Sequence, residues 1–336
     1  MSERNNSFDI IRHVAAYMVL FSHHFRLSGD HEPVFLQWDS YGAVAVAIFF
    51  CLSGFLMPKS FNSSGSFIEF MRKRCLRIFP ALFVCSVVMY LFVAVEFNSN
   101  NSYAYLFSSQ PYLNIIRNTF FLQSYVDGVF SDYFYPHVIN GSLWTLPIEF
   151  SCYLIIGLAL SISFTWVGPA LLLVTCILST IIFNFYPENY TYFSVPFKSL
   201  SLFGMPFFFG ALLSMTTESW LKYKKQVFIT ALLLLIAVTG KPEIQIVAPL
   251  CLSVIIIVLG LTIKDRVING RIDISYGLYI YAFPVQQIII NNITNKFIPS
   301  IALSLFATTL LATVSYYYIE KPFLRRKRKE IIVAEG

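Results

Sequence analysis

A histidine, a cluster of arginines and a glutamate stand where an otherwise apolar chain has least reason to carry them. The run 8–26 holds Asp9, Arg12 and His23. Ionisable side chains inside an apolar span are costly and point to function. Arg12 and His23 are 11 residues apart, almost three helical turns, which puts them on one face about 16 Å apart. Asp9 lies three residues before Arg12 and can pair with it across one turn. One helix thus offers an ion pair near one membrane surface and an imidazole deep toward the other. A neutral imidazole titrating near pH 7 can take a proton from a hydroxyl. The structural alternative for His23 is a histidine capping a helix end at the interface, a role that also suits the adjacent His24. A second group, Arg72-Lys73-Arg74-Cys75-Leu76-Arg77-Ile78-Phe79-Pro80, precedes another apolar run. Guanidinium forks bind phosphates bidentately; the alternative is a basic loop that only sets membrane orientation. Third, Glu149 follows Pro147 at the opening of a long apolar segment. It can cap a helix N-terminus, or it can orient or deprotonate a reacting group.

The elements that must position these residues are membrane helices. The chain has 336 residues, 57% hydrophobic and 12% charged, with a mean hydropathy of +0.66. A soluble domain carries roughly twice that charge; a lipid solvent removes the need for a polar surface. Apolar runs at 8–26, 42–58, 79–97, 143–161, 164–184, 197–215, 226–241, 244–263, 272–292 and 299–319 predict an all-α integral membrane protein of about ten transmembrane helices. Those at 197–215 and 226–241 are the weakest. With the N-terminus cytoplasmic, the loops at 59–78, 216–225 and 264–271 and the basic tail 320–336 share its side. They carry most of the 24 lysines and arginines, which predicts ten spans with both termini cytoplasmic. So many spans leave room for one domain, 1–336, and one long outer loop, 98–142. That loop begins rich in Asn and Ser and turns aromatic, with Tyr112, Phe120, Phe121, Tyr125, Tyr133 and Tyr135 among its rings. Such rings suit an interfacial position or stacking on sugars.

Several functions are disfavoured. The net charge of +6 sits at helix ends and in the tail, where it meets anionic membrane lipids rather than nucleic acid. The six cysteines form no CxxC pair, so neither disulfides nor a metal site are expected. The first run lacks a small-residue cleavage site, so it reads as a retained helix and not a signal peptide. There is no internal repeat and no Rossmann, P-loop or zinc-spacing motif.

In order along the chain, the motifs resemble those of the membrane-bound acyltransferase-3 family. Arg12 through His23 is similar to its arginine–ten residues–histidine signature. Phe49-Phe50-Cys51-Leu52-Ser53-Gly54-Phe55-Leu56 resembles its "FFxLSGFL" helix, and Phe70 to Pro80 its "RRxxRIxP" motif. Ser142-Leu143-Trp144-Thr145-Leu146-Pro147-Ile148-Glu149 resembles "WSLxxE". Ser275-Tyr276-Gly277-Leu278-Tyr279 and Ile319-Glu320-Lys321-Pro322 resemble its late motifs. Each motif alone is weak; the ordered set, from residue 8 to about 325, is specific. The likeness is strongest to bacterial O-antigen (lipopolysaccharide) O-acetyltransferases.

The resemblance implies transfer of an acyl group, usually acetyl, from cytoplasmic acetyl-CoA to a hydroxyl of a lipid-linked or polymeric carbohydrate, in a bacterial inner membrane and without a metal. His23 would be the catalytic base or a transient acyl carrier. Arg12, Arg72, Arg74 and Arg77 would bind the donor, and Trp144 and Glu149 would complete the active centre. One position departs: where many members have a histidine, this chain has Ala282, which puts more weight on His23. The sequence also stops soon after the tenth run, so no further esterase-like domain is expected. The competing class is a carrier of acyl groups, sugars or lipids, since charges within spans also mark transport pathways; no inverted repeat or paired broken helix supports it. A family member using another acyl group, or acting on peptidoglycan or a lipid, is a third reading. No oligomeric state follows.

Overall fold

The computed structural model describes residues 6–98, 102–122, 124–186, 190–266, 268 and 270–324. Its main helices are α1 Phe8–Leu27, α2 Tyr41–Asn62, α3 Phe67–Val87, α4 Ser102–Phe107, α5 Gln110–Thr119, α6 Leu146–Ile162, α7 Val167–Phe185, α8 Phe197–Met215, α9 Lys224–Val238, α10 Ala248–Thr262, α11 Ser275–Ile288 and α12 Phe297–Ser315. Each of the ten apolar runs is helical. The strands are two-residue ribbons, Val34–Phe35 with Asp39–Ser40 and Thr191–Tyr192 with Val195–Pro196. Of the tail, Arg325, Arg326, Lys327, Arg328 and Lys329 lie outside the described residues, as does Arg4.

Among the described residues, six helical segments are long and apolar enough to cross a membrane: Tyr41–Asn62, Phe67–Glu96, Leu143–Ile162, Val167–Phe185, Phe197–Met215 and Phe297–Leu324. Helix α1 is long enough but carries Asp9, Arg12 and Arg26. Of the others, α10 has 15 residues, below the roughly 20 that a perpendicular span needs, whereas short helical turns from Thr217 lead into α9 and a π-helical turn carries α11 on to Ile293. A helix that must face lipid should expose an apolar stripe, and α7 does so: Leu171, Val174, Leu178, Ile182 and Phe185 are exposed at helical spacing. In water such a stripe would be a liability.

The basic segment expected to be a loop is helical. Helix α3 begins at Phe67, well before the apolar run at 79–97, because Ser66 caps it: the Glu69 N–H donates to Ser66 Oγ at 3.2 Å. Ser66-x-x-Glu69 is the capping-box pattern. Arg72, Arg74 and Arg77 therefore have helical positions. The segment 98–142 is not plain loop either, since it holds α4 and α5.

The chain divides into two compact units, each drawn from three stretches: residues 1–19, 33–72 and 146–272, and residues 20–32, 73–145 and 273–336. In the first unit, α2 is the central helix, buried along most of its length. It meets α8 backbone to backbone through two glycines. A Cβ on Gly54 would overlap the Phe207 carbonyl, and one on Gly210 would overlap the Cys51 carbonyl. Small residues at helix contacts supply the close packing that replaces a hydrophobic drive within lipid. Gly54→Ala is therefore expected to cost about 3 kcal/mol or more, at the upper end of overpacking effects, read as lowered thermal stability in detergent. Phe8 packs on Gly260 of α10 and edge-on to Phe55 at 5.4 Å.

In the second unit, α11 and α12 pack through Gly277 against Ala312. Leu27, Phe283 and Ile290 form a buried cluster covered by Tyr135 and Val138. Gln287 of α11 donates to the carbonyls of Tyr135 and Val138 at 2.7 and 3.2 Å, tying the aromatic loop to that helix.

Candidate active site

Three polar centres are built into these units. The first is around His23, on the C-terminal half of α1. Its Nδ1 lies 3.3 Å from Ser142 Oγ, and its ring stands edge-on to Phe283 with centroids 5.5 Å apart. Gly141 makes room for that ring, since a Cβ there would approach Phe283 to 2.6 Å. Ser142 is 1% exposed and is fixed from two sides. Its N–H donates to Asn140 Oδ1 at 3.0 Å, and its carbonyl accepts from the Tyr279 hydroxyl, which also bonds Thr145. Asn140 Nδ2 in turn donates to the Ile280 carbonyl at 2.8 Å. Trp144 sits in the same short turn, Leu143–Thr145, with about half its surface exposed.

The adjacent histidine is different. His24 is wholly buried, with Nε2 2.9 Å from Ser300 Oγ and Nδ1 3.1 Å from Gln286 Nε2. Gln286 also donates to the Leu20 carbonyl at 2.8 Å. Both ring nitrogens are used within the fold, so His24 is a packed, satisfied residue rather than an interfacial cap. His23 uses one.

The second centre belongs to the first unit. Glu149, in the first turn of α6, accepts from Ser53 Oγ of α2 at 2.8 Å and from the Tyr153 hydroxyl at 2.5 Å. The "LSG" and "WTLPIE" motifs thus meet in one hydrogen-bonded triangle. Two hydroxyl donors stabilise a carboxylate that α6 alone would meet only with its dipole. Glu149→Ala removes the acceptor that both hydroxyls share and leaves them the longer Tyr153–Ser53 bond of 3.4 Å, at a cost of about 1–3 kcal/mol. Glu149→Gln keeps an acceptor oxygen and should stay folded. Comparing the two by thermal unfolding and by turnover separates the carboxylate's structural share from its chemistry.

The third centre lies in the second unit. Arg77 Nη2 is 2.6 Å from Asp273 Oδ2, and Nη1 is 3.8 Å from Glu320 Oε2. Asp273 Oδ1 accepts from Ser275 Oγ at 2.6 Å at the start of α11, and the Tyr276 hydroxyl donates to the Ile78 carbonyl at 3.0 Å. The arginine motif and both late motifs converge here. Of the other expected donor-binding residues, Arg72 is exposed beside Glu69 at 3.5 Å. Arg74 and Arg12 are half-buried on α3 and α1. Ala282 is buried within α11. All six cysteines are free, and no metal-binding cluster occurs among the described residues.

The sequence singles out His23 as an ionisable residue within an apolar run, Glu149 at the head of one, and Arg77 within a dense arginine cluster at the membrane edge. Sequence reading missed Ser142, Asn140, Tyr279, Ser53, Tyr153 and Asp273 as partners. Their only signal was that several lie inside the quoted motifs.

Comparison with known proteins points to the family that the motifs resemble. The family model of the acyltransferase-3 "Acyltransferase domain" matches residues 5–318. An "O-acetyl transferase" of Shigella phage Sf6 is 37% identical over 335 residues, covering 98% of each chain. "Nodulation protein 10" of Rhizobium leguminosarum bv. viciae is 36% identical over 171 residues, covering 49% of this chain and 47% of its own. No solved structure matches significantly.

Proposed function

The chain belongs to the acyltransferase-3 family, and from that membership we propose that it is a membrane O-acetyltransferase moving acetyl from cytoplasmic acetyl-CoA to a sugar hydroxyl of a surface polysaccharide such as O-antigen. It is an acyltransferase by its domain. The acetyl group and the oxygen acceptor are supported by the full-length likeness to the phage O-acetyl transferase. In this reading the ten apolar runs all span a bacterial inner membrane, with both termini cytoplasmic and His23 toward the outer side.

The observation that carries the mechanism is His23 itself, half-buried and hydrogen-bonded through Nδ1 to a fixed serine. With Nδ1 so engaged, Nε2 is the nitrogen offered to substrate. Nε2 takes the proton from the acceptor hydroxyl as the sugar oxygen attacks the thioester carbonyl. The new C–O bond forms, the C–S bond breaks, and Nε2–H returns the proton to the departing coenzyme A thiolate. Arg12, Arg72 and Arg74 would bind the donor's phosphates. Arg77 is already neutralised by two carboxylates, so its contribution to the donor would be to hold the arginine helix in place. Trp144 and Glu149 would complete the active centre.

The test is purified protein in liposomes supplied with acetyl-CoA and an oligosaccharide acceptor. Release of free coenzyme A thiol that depends on acceptor, with ester formed on the sugar, is expected. Movement of sugar or acyl label across the bilayer with no ester formed would instead make the protein a carrier.

A further inference from the structure

We propose that Ser142 is the positioning residue that orients His23 and accepts from its Nδ1–H, so that Nε2 is bare. The proposal rests on His23 being the base and goes beyond it by naming what makes it one. An imidazole serves as a base only when the nitrogen facing the substrate is bare, and that is decided by what the other nitrogen bonds. His23 Nδ1 is 3.3 Å from Ser142 Oγ, and Nε2 makes no hydrogen bond to any described residue. A serine hydroxyl can take either role; as acceptor from Nδ1–H, Ser142 Oγ leaves the Nε2 lone pair for the sugar hydroxyl. The same bond persists when Nε2 is protonated, so the serine follows the ring through both charge states.

A serine can do this only if it is itself held still, and Ser142 is. Its backbone is pinned by Asn140 on the N–H side and by the Tyr279 hydroxyl on the carbonyl side. Asn140 is anchored to the Ile280 carbonyl at 2.8 Å. Both anchors therefore come to bear on one turn of α11, Tyr279–Ile280, a helix buried along nearly its whole length. Phe283, one turn further, closes on the His23 ring from the side. The ring is gripped by a hydroxyl at one nitrogen and an aromatic face at its flank. This is the base–orienter arrangement of a catalytic triad with a neutral hydroxyl in place of the carboxylate.

The experiment compares wild type, Ser142→Ala, Ser142→Thr and His23→Ala, purified at matched levels, with initial rates against acetyl-CoA concentration. The expected result is that His23→Ala loses about 10²–10⁴-fold in rate. Ser142→Ala should lose about tenfold to 100-fold in kcat, the range seen for partners that orient a functional histidine, with KM for acetyl-CoA unchanged. Ser142→Thr, which keeps the hydroxyl, should recover most of the rate. A purely structural role would lower the amount of folded protein and would not confine the loss to kcat. Wild-type kcat in Ser142→Ala beside a slowed His23→Ala overturns the serine's role and leaves the histidine's. Equal loss in Ser142→Thr and Ser142→Ala overturns it too, because the hydroxyl would not be what matters. Wild-type kcat in His23→Ala overturns both.

Discussion

Replacing His23 with alanine is expected to lower acyl transfer by about 10²–10⁴-fold, the contribution of a positioned general base, while the protein stays folded in the membrane. The separation follows from what His23 touches. It makes one hydrogen bond of 3.3 Å and one edge-on ring contact, so its loss costs about 1–2 kcal/mol of stability. The neighbouring residue provides the contrast. His24→Ala strips partners from Ser300 and Gln286, both wholly buried, and should lower the unfolding temperature more than His23→Ala does. Parallel turnover and thermal-unfolding measurements on the two variants check this. Inactivity with full stability in His24→Ala, and the reverse in His23→Ala, would exchange their roles.

Arg77→Ala is expected to be the most destabilising change in the arginine motif. Removing the guanidinium takes away the counter-charge that Asp273 and Glu320 share. The Glu320 side chain is 2% exposed. Arg77 and Asp273 are partly exposed, at 24% and 19%, so the cost is expected to fall below the roughly 3–5 kcal/mol of breaking a fully buried pair from one side. The exposed pair that Arg72 makes with Glu69, three residues away on one helix, is worth about 0.3–0.5 kcal/mol. The measurement is the amount of folded protein recovered in detergent and its unfolding temperature. Adding Asp273→Asn and Glu320→Gln to Arg77→Ala should restore much of the stability. If that triple variant is folded and still slow, with a raised KM for acetyl-CoA, Arg77 also touches the donor; if it turns over normally, its role is structural alone. Stability of Arg77→Ala equal to that of Arg72→Ala would contradict the buried triad.

How much of this the sequence revealed depended on the range of the interaction. Apolar runs mark helices because a lipid-facing helix must be apolar over its own length, and each of the ten runs is helical. Boundaries were less legible: α3 starts at Phe67, where the Ser66–Glu69 cap outweighs the polarity of the arginines that follow. Ionisable residues stood out by their place: His23 within an apolar run, Glu149 at the head of one, Arg77 in a dense arginine cluster. Their partners did not, because Ser53, Ser142 and Tyr279 are ordinary polar residues until the fold brings them close. Arg77 and Asp273 are 196 positions apart, and no local pattern links them. The pair His23 and His24 makes the point sharply. Adjacent in sequence and alike in type, they differ in their neighbours: Ser142 and Phe283 beside His23, Gln286 and Ser300 beside His24.

The most direct measurement is the NMR spectrum of the surface polysaccharide from cells carrying the wild-type chain, His23→Ala or no copy. Acetyl-ester signals with wild type alone, and a shifted ring proton at one sugar carbon, are the predicted result; that shift names the acylated hydroxyl. Identical spectra from all three, with the protein present in the membrane, would contradict acetyl transfer to a surface carbohydrate.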